Sequence, residues 1–222
     1  ELKAVGGVMI TASHNPREYN GYKVYDENGC QLVPYRIERL LEILATLPDE
    51  LSVTYKKAEV PGKNVVLDDK IDNRYVEEVL SIRLNPNLDK KGFKVVYTPQ
   101  HGTSYIPAMK IFEKAGYKDN IFPVLSQCTP DPDFSNTLSP NPEEPKAYIE
   151  PLKLAKELDA DLIVMTDPDA DRVGVAFKNS HGEFELLTGN QSGALLINYI
   201  LGERKEKGLL SKDGIMYNTI VT

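Results

Sequence analysis

Three aspartates at alternate positions carry the strongest chemical signal in the sequence. The stretch DPDADR places Asp167, Asp169 and Asp171 directly after the apolar run 161–166. In extended backbone, side chains at alternate positions lean to the same side, so the three carboxylates converge. At about 4 Å each pair of like charges costs roughly 1 to 4 kcal/mol. A hard divalent cation relieves that repulsion, and Mg²⁺ fits because it accepts a few carboxylates and leaves positions for phosphate or water.

Other interpretations of this loop can be tested against the same residues. A plain polar turn is one alternative, because Asp and Pro favour turns. An EF-hand loop starting at Asp167 needs Gly at its sixth position and Glu at its twelfth, where Arg172 and Lys178 stand. An aspartyl-phosphate phosphatase, with Asp167 as nucleophile and Asp169 as acid/base, fits in part. It leaves Asp171 and a serine loop near the N-terminus unexplained, and it stays open.

That serine loop is the stretch TASHNPREYNGYK (11–23), which follows the apolar run Val8 to Ile10. A serine at the end of a strand suits nucleophilic attack or phosphate handling, because the strand holds its hydroxyl rigidly. The G-x-S-x-G elbow of hydrolases is absent around Ser13. We expect His14, the next residue, to point away from Ser13 and to make a poor triad base. Acyl transfer is therefore disfavoured.

Composition narrows the classes of partner. The chain has 222 residues and a net charge of -7, without a basic stripe that could neutralise nucleic-acid phosphates. The longest apolar run, near Ala194 to Leu201, is broken and falls short of the roughly 20 residues that a membrane span needs. Cys30 and Cys128 have no metal or CxxC spacing and are typical of reduced thiols in a cytosolic protein. We expect a cytoplasmic protein of two domains that acts on a small molecule, without nucleic acid or membrane.

The elements that must position these loops follow from periodicity. Pro34 opens a predicted helix over 35–47, and Asp72 is a plausible cap for a second helix that ends before LNPNLDKKG. From residue 93 the pattern alternates, which predicts a βαβαβ unit with parallel strands and ligands at their carboxyl ends. Its elements are strand 93–98, helix 104–115, strand 120–124, helix 145–158 interrupted by Pro151, and strand 161–166, followed by strand 183–187, helix 190–202 and strand 215–221.

The loop TPQHGTS (98–104) gives a weaker signal at the same edge of the predicted sheet. Gly102 permits close approach of the backbone to a ligand. A helix cap supplied by Thr103 or Ser104 is a sufficient structural explanation for the other residues. We leave His101 out of the catalytic set.

Together, TASHNPREYNGYK and, about 150 residues later, DPDADR resemble the α-D-phosphohexomutase family of phosphoglucomutases and phosphomannomutases. The resemblance extends over essentially the whole chain. It implies an α/β fold with a mixed, mostly parallel sheet sandwiched by helices and incomplete at both ends. It divides the chain into the end of domain I with the phosphoserine loop (1–88), domain II with the metal loop (89–186) and the start of domain III (187–222).

The resemblance also implies roles for individual residues. In that family the matching serine donates a phosphoryl group to a hexose monophosphate and recovers one from the bisphosphate, so that hexose 1- and 6-phosphates interconvert. Ser13 and Lys23 match the phosphoserine and the proposed general acid/base, and His14 and Arg172 match substrate contacts. Mg²⁺ would be held by Asp167, Asp169, Asp171 and the phosphoryl group on Ser13, with a hexose 1,6-bisphosphate as activator and intermediate.

Finer expectations concern the substrate and the chain by itself. TPQHGTS and PNPEEPKA favour glucose phosphates, with mannose or pentose phosphates as alternatives, and a non-catalytic metal- or sugar-phosphate-binding module is a further alternative. We expect this chain alone to bind Mg²⁺ without turning over glucose 1-phosphate, and to self-associate through exposed sheet edges. At Ala170 the family commonly has Gly, and we expect the methyl group to demand a negative φ.

Overall fold

The computed structural model describes residues 2–49, 52 and 62–217. Contacts within the chain separate it into two compact units. The first unit comprises Glu1–Thr11 and Asn20–Asn73, and the second comprises Ala12–Tyr19 and Arg74–Thr222. Residues 12–19 of the serine loop, which include Ser13, thus belong to the second unit, together with the acidic loop (167–172).

The first unit contains a hairpin and a helix. Strands β1 (Gly7–Ile10) and β2 (Tyr22–Tyr25) pair antiparallel, and helix α1 (Pro34–Leu44) follows. Pro34 opens α1 as predicted, because its fixed φ suits the first helical position. The helix ends before the predicted residue 47 because the last amides, on Thr46 and Leu47, bond to carbonyls only three residues back. The short strand β2 was not predicted.

Helix α2 (Asp69–Ser81) begins earlier than the sequence pattern indicates. Asp72 lies inside its first turn, so the prediction that Asp72 caps the helix is wrong. Asp68 accepts a hydrogen bond from the Lys70 amide at 3.1 Å and takes the capping position instead. Asp69 and Asp72 still favour this end of the helix electrostatically, because the first turn exposes amide N–H groups.

The second unit is built on a five-stranded sheet in the order β4-β3-β5-β6-β7. Strand β3 pairs in parallel with β4 and β5, and β6 runs antiparallel to both β5 and β7. Four of the five strands therefore run the same way, which confirms the predicted mixed sheet and the βαβαβ unit. The bounds are β3 (Val95–Thr98), α3 (Tyr105–Lys114), β4 (Ile121–Pro123), α4 (Ile149–Leu158), β5 (Leu162–Thr166), β6 (Val173–Lys178), β7 (Phe184–Leu187) and α5 (Gly189–Glu206).

Alternate side chains of the central strands bury against helices on the two faces of this sheet. Val96 belongs to the core cluster that includes Ala155 of α4 and Ile163 of β5. Tyr97 belongs to the other cluster and meets Phe112 of α3 edge to face, with ring centroids 5.6 Å apart. Packing on both faces fixes β3 and β5, whose carboxyl ends carry the loops of interest.

Three boundary predictions need correction. The predicted helix 145–158 is a 3-10 turn (Pro145–Tyr148) followed by α4, and Pro151 lies in the first turn of α4, where a missing N–H leaves no bond unmade. Helix α5 continues past 202 to Glu206. Residues 215–217 do not form the predicted strand, and 218–221 lie outside the described residues. Within the described chain, no helix has the length and apolar character to cross a membrane.

Candidate active site

The acidic loop follows β5 directly, and Asp167 is its first residue. This side chain is fully buried, whereas Asp169 is half-buried and Asp171 is exposed. One carboxylate oxygen from each of the three lies within 4.8 Å of the others, so they converge as their spacing predicts. Ligand oxygens on opposite sides of a Mg²⁺ or Ca²⁺ ion lie roughly 4 to 5 Å apart, so the three oxygens fit around such an ion.

The electrostatics of Asp167 favour a cation beside it. Burial is the largest influence and raises the pKa of Asp167, and the neighbouring Asp169 raises it further. Hydrogen bonds from the Ser13 hydroxyl and from the backbone amide of Arg172 lower the pKa in part. The net shift is upward, so a negative charge on Asp167 is held against the local environment. A divalent cation among the three carboxylates would stabilise that charge, and these hard oxygen donors suit it.

The turn that brings the aspartates together contradicts one prediction. Ala170 has φ of 64°, in the left-handed region, where a negative value was expected. Its amide donates to the Asp167 carbonyl at 3.0 Å and closes the turn. Left-handed backbone costs an L-residue about 1 to 2 kcal/mol. The loop therefore keeps a conformation that glycine would adopt without strain, and its tertiary contacts hold it there.

Ser13 lies against the buried end of the acidic loop. Its Oγ donates a hydrogen bond to Oδ2 of Asp167 at 2.8 Å, while Oδ1 of Asp167 accepts from the Arg172 amide at 3.0 Å. Ser13 has φ of 54° and stands in a turn closed by the Asn15 amide on the Ala12 carbonyl. The two stretches singled out in the sequence thus meet at a hydroxyl and a carboxylate.

His14 lies closer to Ser13 than predicted. Its Nδ1 is 3.2 Å from the Ser13 Oγ, so the expectation that its ring points away is wrong. Neighbouring side chains alternate in a strand, but Ser13 is in a left-handed turn, where that alternation does not hold. Three residues on, Arg17 pairs with Asp133 at 3.1 Å, a contact that no local sequence pattern predicted.

The other predicted residues are placed differently. Arg172 is exposed, and its guanidinium lies 3.9 Å from the Glu143 carboxylate. Lys23 lies in β2 of the first unit, opposite Met9 in the strand register. The second unit therefore brings together Ser13, His14, Arg172 and the three aspartates, whereas Lys23 belongs to the first unit.

His101 serves the backbone of the neighbouring loops. Its Nε2 accepts from the Asn136 amide at 3.2 Å, and its Nδ1 is 2.9 Å from the Thr129 carbonyl. These two bonds define a neutral ring with its hydrogen on Nδ1. The His101 amide also donates to the Gln127 carbonyl. Both ring nitrogens therefore have hydrogen-bond partners within the loops.

Two residues of the 98–104 loop, Gly102 and Thr103, pack on the acidic loop. Gly102 approaches the backbone of Pro168, and Thr103 donates to the Pro168 carbonyl from its amide (2.9 Å) and from its hydroxyl (3.2 Å). The predicted cap by Thr103 or Ser104 is wrong. Ser104 stands at the N-cap of α3, but its hydroxyl bonds to Tyr97 and Thr166 instead of a helix amide.

Comparison with known proteins identifies the same two parts of the chain. Residues 73–182 match the family described as phosphoglucomutase/phosphomannomutase, alpha/beta/alpha domain II, and residues 1–50 match domain I of that family. A phosphoglucomutase of Staphylococcus epidermidis is 38% identical over 223 aligned positions, which cover 100% of this chain and 40% of the relative. One of Staphylococcus aureus is 36% identical and covers 89% of this chain and 36% of the relative. The chain thus spans about 40% of the length of such relatives.

Solved structures show the same likeness. A phosphoglucomutase/phosphomannomutase family protein from Burkholderia thailandensis aligns with a TM-score of 0.64 over 90% of this chain and 38% of that one, at 20% identity, which supports the fold. A putative phosphomannomutase from Thermus thermophilus aligns with a TM-score of 0.56 over 81% of this chain and 39% of that one, at 29% identity. With the converging aspartates and the adjoining serine, these matches show that the chain belongs to the phosphoglucomutase/phosphomannomutase family of mutase enzymes.

Proposed function

We propose that this chain carries the phosphoryl-transfer centre of a phosphohexomutase that interconverts hexose 1-phosphate and hexose 6-phosphate, with Ser13 as the phosphoryl carrier. The observation that carries the proposal is the 2.8 Å hydrogen bond between the Ser13 Oγ and the buried Asp167. It places the hydroxyl beside three converging carboxylates. A phosphoryl group on that oxygen would stand next to the cation those carboxylates fit.

Asp167, Asp169 and Asp171 would hold Mg²⁺. Such an ion neutralises the charge that spreads over a phosphoryl group during its transfer. The residues of the chain supply position and protons. Arg172, whose amide is fixed on Asp167, would place its exposed guanidinium toward the substrate phosphate, and His14 would contact the sugar beside Ser13.

The transfer balances as an exchange of one phosphorus–oxygen bond for another. The bond from phosphorus to the Ser13 Oγ breaks, and a bond forms from phosphorus to a sugar hydroxyl oxygen. Lys23, as general acid/base, would take the proton of that sugar hydroxyl and return one proton to the site, so that no net proton is gained or lost. The Ser13 Oγ takes up a proton and regains the hydroxyl form, in which it donates to Oδ2 of Asp167. The second half of the cycle reverses these bonds on the turned sugar.

Glucose phosphates are the proposed substrates, with a glucose 1,6-bisphosphate as intermediate. The support comes from the relatives named phosphoglucomutase that align along the chain at 36 to 38% identity. Mannose and pentose phosphates are the competing substrates. Rates measured with the three sugar phosphates under identical conditions would rank them, and a preference for mannose 1-phosphate would overturn this choice.

Phosphopeptide mass spectrometry tests the carrier. We expect incubation with glucose 1,6-bisphosphate and Mg²⁺ to leave a phosphate on Ser13 that survives hydroxylamine, and Ser13→Ala to abolish it. Loss of the phosphate in hydroxylamine would show an acyl phosphate, as in a phosphatase that uses Asp167. The structure disfavours that phosphatase, because Asp167 is buried and both of its oxygens already accept hydrogen bonds. Cation binding with no phosphate on the chain would favour a non-catalytic module.

A further inference from the structure

A close backbone contact joins the 98–104 loop to the acidic loop. A Cβ atom placed on Gly102 would lie 2.2 Å from the carbonyl oxygen of Pro168, 2.3 Å from its Cα and 2.6 Å from its carbonyl carbon. Real Cβ atoms essentially never approach other atoms below 3.0 Å. All three of those atoms are backbone, so they cannot swing aside as a flexible side chain would. Any other L-residue at position 102 must therefore displace Pro168.

Thr103 holds the same peptide group through two hydrogen bonds. The Pro168 carbonyl accepts both the Thr103 amide at 2.9 Å and the Thr103 hydroxyl at 3.2 Å. Pro168 has a fixed φ. Because the Pro168 carbonyl accepts two hydrogen bonds and the φ of Pro168 is fixed, the backbone between Asp167 and Asp169 has little freedom.

The residues that make this contact are themselves anchored. Gln100 and His101 have φ of 50° and 62°, a conformation that persists in non-glycine residues only when surrounding contacts impose it. His101 supplies such contacts through the Thr129 carbonyl and the Asn136 amide. One residue beyond Thr103, the Ser104 hydroxyl lies 2.6 Å from the Thr166 hydroxyl at the end of β5.

We propose that Gly102 and Thr103 are positioning residues for the divalent cation. By fixing the Pro168 peptide, they set the separation of the Asp167 and Asp169 carboxylates, and through it both the affinity of the site and its preference for small ions over Ca²⁺. The inference rests on the cation site of the proposed function. Size preference depends on the rigidity of the ligand cage, because Mg²⁺ demands a near-ideal octahedron whereas Ca²⁺ accepts flexible geometry. Loss of outer contacts to metal ligands lowers affinity about 10- to 100-fold.

The test measures Mn²⁺ binding by this chain from the electron paramagnetic resonance signal of the free ion, with Ca²⁺ affinity from competition. We expect Gly102→Ala to weaken Mn²⁺ binding about tenfold or more and Ca²⁺ binding less. Thr103→Val removes the hydroxyl bond but keeps the amide bond, so we expect a loss of about two- to tenfold. Gly193→Ala is the matched control, because a Cβ there meets nothing within 4 Å. It should bind Mn²⁺ as the parent chain does.

The outcomes separate this inference from the cation site itself. Native circular dichroism with unchanged Mn²⁺ affinity in Gly102→Ala would overturn the positioning role, and so would an equal loss for Mn²⁺ and Ca²⁺. If Gly102→Ala does not fold, Thr103→Val decides, and unchanged affinity in that variant overturns the role. Asp169→Asn should weaken the binding of both Mn²⁺ and Ca²⁺. A parent chain that binds no Mn²⁺ would overturn both proposals, whereas binding that Asp169→Asn lowers and the two loop variants leave unchanged overturns this inference alone.

Discussion

The two units bury their strands to very different degrees. All four residues of β3 in the second unit are buried, whereas all four residues of β1 in the first unit are exposed, and α1 has no buried residue. Short-range polar contacts are prominent in the first unit, such as the Asp26 carboxylate on the amides of Asn28 and Cys30. The second unit holds its loops on a sheet packed on both faces. Precise placement of the serine and aspartates therefore belongs to the second unit.

Matched isoleucine truncations should give the largest contrast between the units. Ile163 is fully buried, so Ile163→Ala should lower the free energy of unfolding of the second unit by about 2 to 5 kcal/mol. Ile10 is 60% exposed, and Ile10→Ala should cost the first unit less than about 1 kcal/mol. Amide hydrogen exchange, measured on peptides from each unit at increasing urea concentration, gives the change in the free energy of unfolding for each variant. Equal losses in the two variants would break the comparison.

The two cysteines should react at very different rates. Burial raises the pKa of Cys128 from an ordinary value of 9.0 to about 11, whereas Cys30 is exposed. A thiol with a pKa of about 11 instead of 9.0 has about 100-fold less of the reactive thiolate near neutral pH, and burial slows access further. Iodoacetamide at pH 8 followed by peptide mapping should label Cys30 first, and in urea the two rates should converge. Equal labelling of the native chain would contradict the buried placement of Cys128.

A buried hydroxyl should matter more than an exposed one. Tyr148 is fully buried, and its hydroxyl donates to the Pro142 carbonyl at 3.0 Å. Tyr148→Phe should lower the free energy of unfolding of the second unit by about 1 kcal/mol. Tyr35 of α1 is 72% exposed, so Tyr35→Phe should be close to neutral. A neutral Tyr148→Phe would show that this bond does not contribute to stability.

Acid should release one loop of the second unit while the sheet persists. Hydrogen bonds from Ser135 and Asp133 lower the pKa of Asp131 from 3.8 to about 2. A carboxyl whose folded pKa is depressed stabilises the fold above its unfolded pKa, and that contribution is lost as the pH falls through the folded value. The protection of amides in 131–135 against hydrogen exchange, corrected for the intrinsic rate at each pH, should therefore fall between about pH 4 and pH 2. Asp131→Asn should remove this pH dependence, and a loop unaffected by acid would contradict the assignment.

Local sequence patterns predict the elements of the second unit well and its contacts poorly. Strands β3 and β5 follow from their apolar runs. The aspartates converge as predicted, but through a turn at Ala170 and not through the extended backbone that the prediction assumed. Strand β6, with six residues between two polar loops, was missed, and it is defined by antiparallel pairing with β5 and β7. The positive φ of Ala170 and the position of His14 depend on turns that distant contacts hold. The contact of Gly102 with Pro168 joins residues far apart in sequence, and no local pattern encodes it.

The proposed function requires a phosphoryl group on Ser13 and a cation held by the three aspartates to share one site. Phosphorus NMR of the chain phosphorylated on Ser13, titrated with Mn²⁺, tests it most directly, because a paramagnetic ion broadens only nuclei close to it. Substoichiometric Mn²⁺ should broaden the phosphoserine signal in the parent chain and leave it sharp in Asp169→Asn. A signal that stays sharp in the parent chain while Mn²⁺ binds would contradict the claim.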